Sequence, residues 1–281
     1  MRWLAGPTEP AGRSSGRPPL RRHKPESWWA LSLPLLLFLL LPLLALLFYS
    51  SPAELAANLA LPQVRQAIGL SLRTSTWATV LAVLLGTPAA YLLARRQFPG
   101  RLLFDNLIDL PIVLPPAVAG LSLLLVFGRR GLVGVWLEEL GLRVTFTEAA
   151  VVIAQTFIAV SLFIRAASIG FASIEPELED AAAIDGANHR QVFRHITVPL
   201  ARRALLTGVA LAWARALGEF GATIIFAGNF PGRTQTMPLA IYIGFELDLD
   251  VAVTLSVILV LLSFVILLAV KGIFGREDQN S

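Results

Sequence analysis

Glu175-Pro176-Glu177-Leu178-Glu179-Asp180-Ala181-Ala182-Ala183-Ile184-Asp185-Gly186-Ala187-Asn188-His189-Arg190-Gln191-Val192-Phe193-Arg194-His195-Ile196-Thr197-Val198-Pro199 is a polar stretch in a chain otherwise suited to lipid. Pro176 fits the first turn of a helix, where its missing N–H costs nothing. Glu177, Glu179 and Asp180 then lie at the positive end of that helix's dipole. Gly186 permits the left-handed turn that ends it. Asn188 can cap a second helix, carrying Val192, Phe193 and Ile196 and expected to stop before Pro199. The stretch reads as two short helices about a glycine, with an apolar edge and charged flanks. Such an element faces water, and its shape suits the docking of a soluble partner. A second reading stays open, in which Leu178 and Phe193 tuck against the chain's own helices.

Working outward, the chain has 281 residues, of which 56% are apolar and 15% charged. Soluble domains run at about 45–50% and about 25%. The composition points to an all-α, polytopic membrane protein rather than one with a single anchor. The net charge of +4 does not indicate nucleic acid, because the basic residues stand at the ends of apolar runs. There is no cysteine, which excludes disulfides, thiolate metal sites and a thiol nucleophile. His189 and His195 are six apart and His23 is remote, so no metal site is expected.

A span needs about 20 apolar residues. Six segments qualify: Trp28–Tyr49, Leu70–Leu93, Leu107–Phe127, Ala149–Phe171, Ala204–Ala227 and Val251–Ile273. With the N-terminus inside, inner segments hold fifteen Lys and Arg and outer ones six, although Arg129 and Arg130 run against the bias. Both termini are then cytoplasmic, as is the loop 172–200. Residues 1–27 lack an apolar period and read as a disordered cytoplasmic tail, 28–273 as the transmembrane domain and 274–281 as a second tail. A cleaved signal peptide is the competing reading of residues 1–50, but both the leader and the apolar run Leu31–Phe48 are long for one.

The third segment contains Pro111, Pro115, Pro116 and Gly120. Proline removes a backbone donor, and in lipid the freed groups need a neighbouring helix or a water-lined cavity. Pro115 and Pro116 therefore mark either a pathway or a kinked packing helix, and broken helices favour the first. Val133–Leu140 reads as an interfacial helix on the outer side. In the fifth segment Arg215 and Glu219 are four apart on one helical face. They form either an ion pair that fixes packing or, with Thr223, part of a pathway or gate. Hydrogen-bond donors suited to an anion path are Ser122, Thr156, Ser161, Thr223, Asn229, Thr234 and Thr236, each of which packing or a backbone bond could equally employ.

Asp180-Ala181-Ala182, three residues, Gly186, nine residues, then Ile196-Thr197-Val198-Pro199 resembles the EAA loop of ATP-binding-cassette (ABC) importer permeases, with Asp180 in place of Glu and Val198 in place of Leu. The resemblance implies a type I importer permease whose loop docks in a groove of a separate ATPase. The implied coupling residues are Glu177, Glu179, Asp180, Ala181, Ala182, Gly186, Ile196 and Pro199. Gly218-Glu219-Phe220-Gly221 and Ala227-Gly228-Asn229-Phe230-Pro231-Gly232-Arg233-Thr234-Gln235-Thr236 resemble molybdate permeases, with sulfate permeases similar over the first part only. That likeness implies a homodimer in the inner or cell membrane, two ATPase subunits and a periplasmic or extracellular binding protein that delivers an oxyanion, molybdate or else tungstate or sulfate. The two lysines, Lys24 and Lys271, stand in no P-loop setting, so ATP and Mg are expected on the ATPase, with no cofactor and no catalytic residue in this chain. An ion-coupled transporter would need several intramembrane carboxylates; Asp105 and Asp109 lie at an edge, and Glu219 alone is deep. An intramembrane enzyme would need a catalytic cluster that the spans lack.

Overall fold

The computed structural model describes residues 26–275, and every regular element among them is helical. The helices are α1 (Glu26–Tyr49), α2 (Pro52–Leu59), α3 (Pro62–Arg95), α4 (Arg101–Val113), α5 (Pro116–Phe127), α6 (Gly134–Glu139), α7 (Glu148–Ala172), α8 (Pro176–Ile184), α9 (His189–Val192), α10 (Val198–Leu217), α11 (Gly221–Phe226), α12 (Met237–Leu247) and α13 (Leu249–Gly275), with a π turn at Phe193–Thr197 before α10. The expected N-terminal tail lies outside the described residues up to residue 25, and the C-terminal tail from 276 onward. Residues to Ala45 form one unit and those from Leu46 another. The first consists of most of α1, which carries Pro34 and Pro42 within its length.

Five helices are long and apolar enough to cross a membrane, and the α4–α5 pair makes a sixth if counted as one bent span. That pair turns through 113° at Leu114 and Pro115. Leu114 is extended, as the residue before a proline tends to be. At 1.5 Å per residue each half is roughly 20 Å long, short of a hydrocarbon core of about 30 Å. The break expected from the prolines is therefore a sharp corner, not a gentle kink. The amphipathic stretch expected over Val133–Leu140 is reduced to the six-residue α6.

In the second unit α7 is the central helix, packed against α3 and α10. The contact surface is built from small residues: Ala78, Ala90, Ala159, Ala167, Ala212 and Ala216 are all buried. In lipid no hydrophobic force drives helices together, so close approach and dispersion must do so, and small side chains permit both. A Cβ added at Gly170 would lie 2.3 Å from Ala204 Cβ. Phe163 fills the space left by two other glycines: a Cβ at Gly86 would lie 2.7 Å from its ring, and one at Gly208 3.1 Å.

Gly170→Ala should therefore lower stability by about 1–3 kcal/mol, the usual cost of overpacking. Gly69→Ala, where nothing lies within 4 Å, should be neutral or raise it by up to about 1 kcal/mol through helix propensity. Thermal unfolding of the two purified variants in detergent measures the difference.

Candidate functional site

The polar segment folds as its local chemistry dictates. Pro176 opens α8, and Gly186 closes it at φ +91°. Asn188 caps α9: its side-chain oxygen accepts from the N–H groups of Arg190 (3.1 Å) and Gln191 (3.0 Å), while Gln191 Oε1 accepts from Asn188 N–H at 2.8 Å. One expectation is corrected. The second helix does not stop before Pro199 but continues from His189 to Leu217. The π turn makes this possible. There Val198 N–H bonds to the Phe193 carbonyl, five residues back, and the widened ring admits Pro199 in the first turn of α10.

The residues singled out in this segment divide by the side they face. Glu179 points inward. It accepts from Arg95 Nη2 at 3.0 Å and from Thr197 Oγ1 at 2.7 Å, and Arg95 Nη1 donates to the Ile174 carbonyl at 3.0 Å. The Arg95 and Glu179 side chains are only 12% and 16% exposed, so the pair ties α8 to the end of α3 and to the π turn. Glu177, Asp180, Ala181, Gly186 and Pro199 are exposed, and Ala182 and Ile196 half-buried. Of the apolar edge, Phe193 turns in, edge-on to Tyr91 at 5.3 Å and against Phe171 at 6.1 Å. Leu178 and Ile184 turn out, Ile184 with 86% of its surface exposed. Phe193 thus tucks against the chain's own helices as the second reading expects, and Leu178 does not.

At the far end of the same long helix the fifth span is broken, where the sequence suggested one helix over 204–227. Helix α10 ends at Leu217 and α11 begins at Gly221. Glu219 sits in the gap, 1% exposed. Its Oε2 lies 2.6 Å from Arg215 Nη1, and its Oε1 accepts from Ala222 N–H at 2.8 Å. The carboxylate thereby neutralises a cation on one helix and caps the next. Short helices from the two broken spans pack on each other: a Cβ at Gly221 would lie 2.7 Å from Pro116 Cβ, and one at Gly120 2.7 Å from the Ala222 carbonyl oxygen. Pro115 precedes Pro116 at the start of α5.

The candidate donors separate in the same way. Thr156 bonds to the Val152 carbonyl, Ser122 to that of Val118, and Thr234 shapes the loop by accepting from Phe230 N–H. The hydroxyls of Ser161, Thr223 and Thr236 are buried with no hydrogen-bond partner among the described residues, and so is Asn229 Oδ1. Two features escaped the sequence reading. Gln155 is fully buried with both amide atoms unpartnered among those residues. Arg165 binds Asp109 (Nε to Oδ1, 2.6 Å) and Asp105 (Nη1 to Oδ1, 2.7 Å), which draws the two carboxylates assigned to an edge onto a cation of α7. The spacing of Asp105 and Asp109, four apart on α4, was the available signal.

The sequence profile of the family described as the inner membrane component of binding-protein-dependent transport systems matches residues 82–276. The chain is 40% identical over 237 residues to the molybdenum transport system permease protein ModB of Mycobacterium tuberculosis, covering 84% of this chain and 89% of that one. It is 36% identical over 248 residues to the sulfate transport system permease protein CysT of Escherichia coli, covering 86% and 90%. The fold is similar to a chain in the crystal structure of a bacterial ABC transporter involved in the import of the acidic polysaccharide alginate, with a TM-score of 0.70, 17% identity and coverage of 90% and 96%.

Glu219→Gln keeps an acceptor for Ala222 N–H but loses the charge opposite Arg215; Glu219→Ala loses both. Both variants should unfold at lower temperature. Ala should be the less stable by roughly 1 kcal/mol, the typical worth of a cap. Equal unfolding temperatures for the two would mean that the cap carries no weight.

Proposed function

The chain belongs to the inner membrane components of binding-protein-dependent transport systems, among the molybdate and sulfate permeases of ABC importers, and from that premise we propose that it is the permease of a molybdate importer. The arrangement of 175–199 supports the coupling part of this reading. Glu179 is fastened from inside by Arg95 and Thr197, while Asp180, Ala181, Gly186, Leu178 and Ile184 stand outward. A rigid element with an uncovered apolar edge suits a partner that pushes on it. In the proposed assembly each of two copies docks one ATPase through this segment. ATP and Mg bind there, and both termini of the permease lie in the cytoplasm.

For the cargo, the loop Pro231–Thr236 and the higher identity to the molybdenum permease favour molybdate over sulfate. Tungstate, of the same shape and charge, is carried in the same way. Association of two copies is supported by charge within the spans. The side chains of Arg165, Asp105 and Asp109 are 33%, 40% and 42% exposed. The three charges pair with one another, and a face that leaves such a cluster partly open suits a second chain or an aqueous path better than lipid.

Ile184→Asp tests the docking element without touching the core. Being fully on the surface, it should shift stability by no more than about 0.5 kcal/mol. It should nevertheless abolish copurification of the ATPase and uptake of labelled molybdate in cells lacking other importers. Retained association and uptake would remove the coupling assignment. In wild-type cells tungstate should compete for uptake strongly and sulfate weakly; the reverse order would reassign the cargo to sulfate.

A further inference from the structure

The loop 128–147 and Arg233 border an open-mouthed pocket of about 290 Å³ whose lining includes Phe127, Arg129, Glu138, Arg143 and Phe146, with the Arg129 and Arg143 side chains 76% exposed at its rim. In the orientation read from the Lys and Arg bias this is the outer face, where that bias keeps cations few. Three of the six outer arginines nevertheless converge on this one cavity. Glu138 is the carboxylate among its lining residues. It lies 2.9 Å from Arg129 Nε and 3.8 Å from Arg143 Nη2, while Arg233 has no carboxylate partner among the described residues. Three guanidinium groups and one carboxylate leave a surplus of two positive charges, the match for a dianion. A guanidinium presents a planar fork of donors that pairs with two oxygens of an oxyanion at once. At about 30 Å³ per water the cavity has the space of roughly ten waters, enough for a four-oxygen anion that keeps part of its hydration.

The walls are also held in place. Phe146 adopts φ +61°, a left-handed conformation that a bulky side chain takes only where its surroundings impose it. Its ring stands edge-on to Phe230 with centroids 6.1 Å apart. Gly228 lies against both rings, where a Cβ would come within 2.8 Å of Phe230. This contact fastens the loop carrying Arg143 to the loop carrying Arg233. Backbone strain of this kind concentrates at sites where a ligand must meet preset groups.

We propose that Arg129, Arg143 and Arg233 form a reception site on the outer face for a tetrahedral oxyanion. The site holds the dianion between its release from the binding protein and its entry into the membrane. The assignment rests on the oxyanion-import reading above and adds to it a place where this chain itself contacts the anion.

The test uses the complete permease–ATPase complex in detergent, without binding protein. Its thermal unfolding is followed as sodium molybdate, tungstate or sulfate is added, with sodium chloride at equal ionic strength as control. The dianions should raise the unfolding temperature where chloride does not. Arg143→Ala and Arg233→Ala should each weaken the apparent affinity about fivefold, the upper range for an exposed charge pair. Added salt should shrink that difference. Arg233→Lys should recover part of the loss, and Arg130→Ala, beside the cavity but not lining it, should change nothing. Dianion stabilisation that is absent, or equal in wild type and the two alanine variants, overturns the site. Loss of binding-protein association in those variants, with no dianion effect in its absence, also overturns it and makes the arginines receptors for a partner's carboxylate. Dianion binding through these arginines, with no uptake of molybdate, tungstate or sulfate by wild-type cells, leaves the site standing and removes the import reading instead.

Discussion

The carboxylate of Glu219 holds together the part of the molecule where two helices are interrupted. A helix interrupted in hydrocarbon exposes backbone groups that water cannot reach, and each must find a partner inside the protein. Glu219 supplies one at the start of α11 and at the same time answers the charge of Arg215. With α11 fixed, Gly221 and Ala222 can approach Pro116 and Gly120 closely enough to brace the other broken span. Two interruptions that would each be costly alone thus support one another.

The helix His189–Leu217 joins that region to the polar segment. At 1.5 Å per residue its 29 residues span about 43 Å. One end grows directly out of the Asn188 cap and is gripped through Thr197, Glu179 and Arg95; the other ends one residue before Gly218. In the proposed importer, a push on α8 passes through the Glu179–Thr197 contact into one continuous helix that reaches the break at Glu219. The aromatic cluster of Tyr91, Phe171 and Phe193 resists sideways yielding at the end of the helix next to α8.

Local chemistry was the most legible part of the sequence. Pro176, Gly186 and Asn188 each act within a few residues of themselves, and each stands where its cap or turn chemistry put it. The break at Pro115 and Pro116 was visible for the same reason. What escaped depends on neighbours distant in sequence. Pro199 reads as a stop because a proline usually ends a helix, but a π turn upstream absorbs the missing donor. The fifth span looked continuous because Gly218 and Glu219 are both tolerated in helices; only the Ala222 N–H waiting for a cap reveals the gap. Asp105 and Asp109 seemed peripheral because their partner, Arg165, lies 56 residues from the nearer of them. Glu179 resembled its exposed acidic neighbours until Arg95 and Thr197 were placed beside it.

The glycine contacts along α7 bear on the time course of transport. Where Gly170 meets Ala204, and Phe163 is wedged between Gly86 and Gly208, there is no empty volume for gradual adjustment. A seam packed this tightly keeps its registry or exchanges it for another, because packed interfaces are bistable and not continuously deformable. Motion conveyed by the long helix should accordingly proceed by discrete jumps. Intermediate openings would be sparsely populated, and single-molecule traces would dwell at a few levels instead of drifting between them.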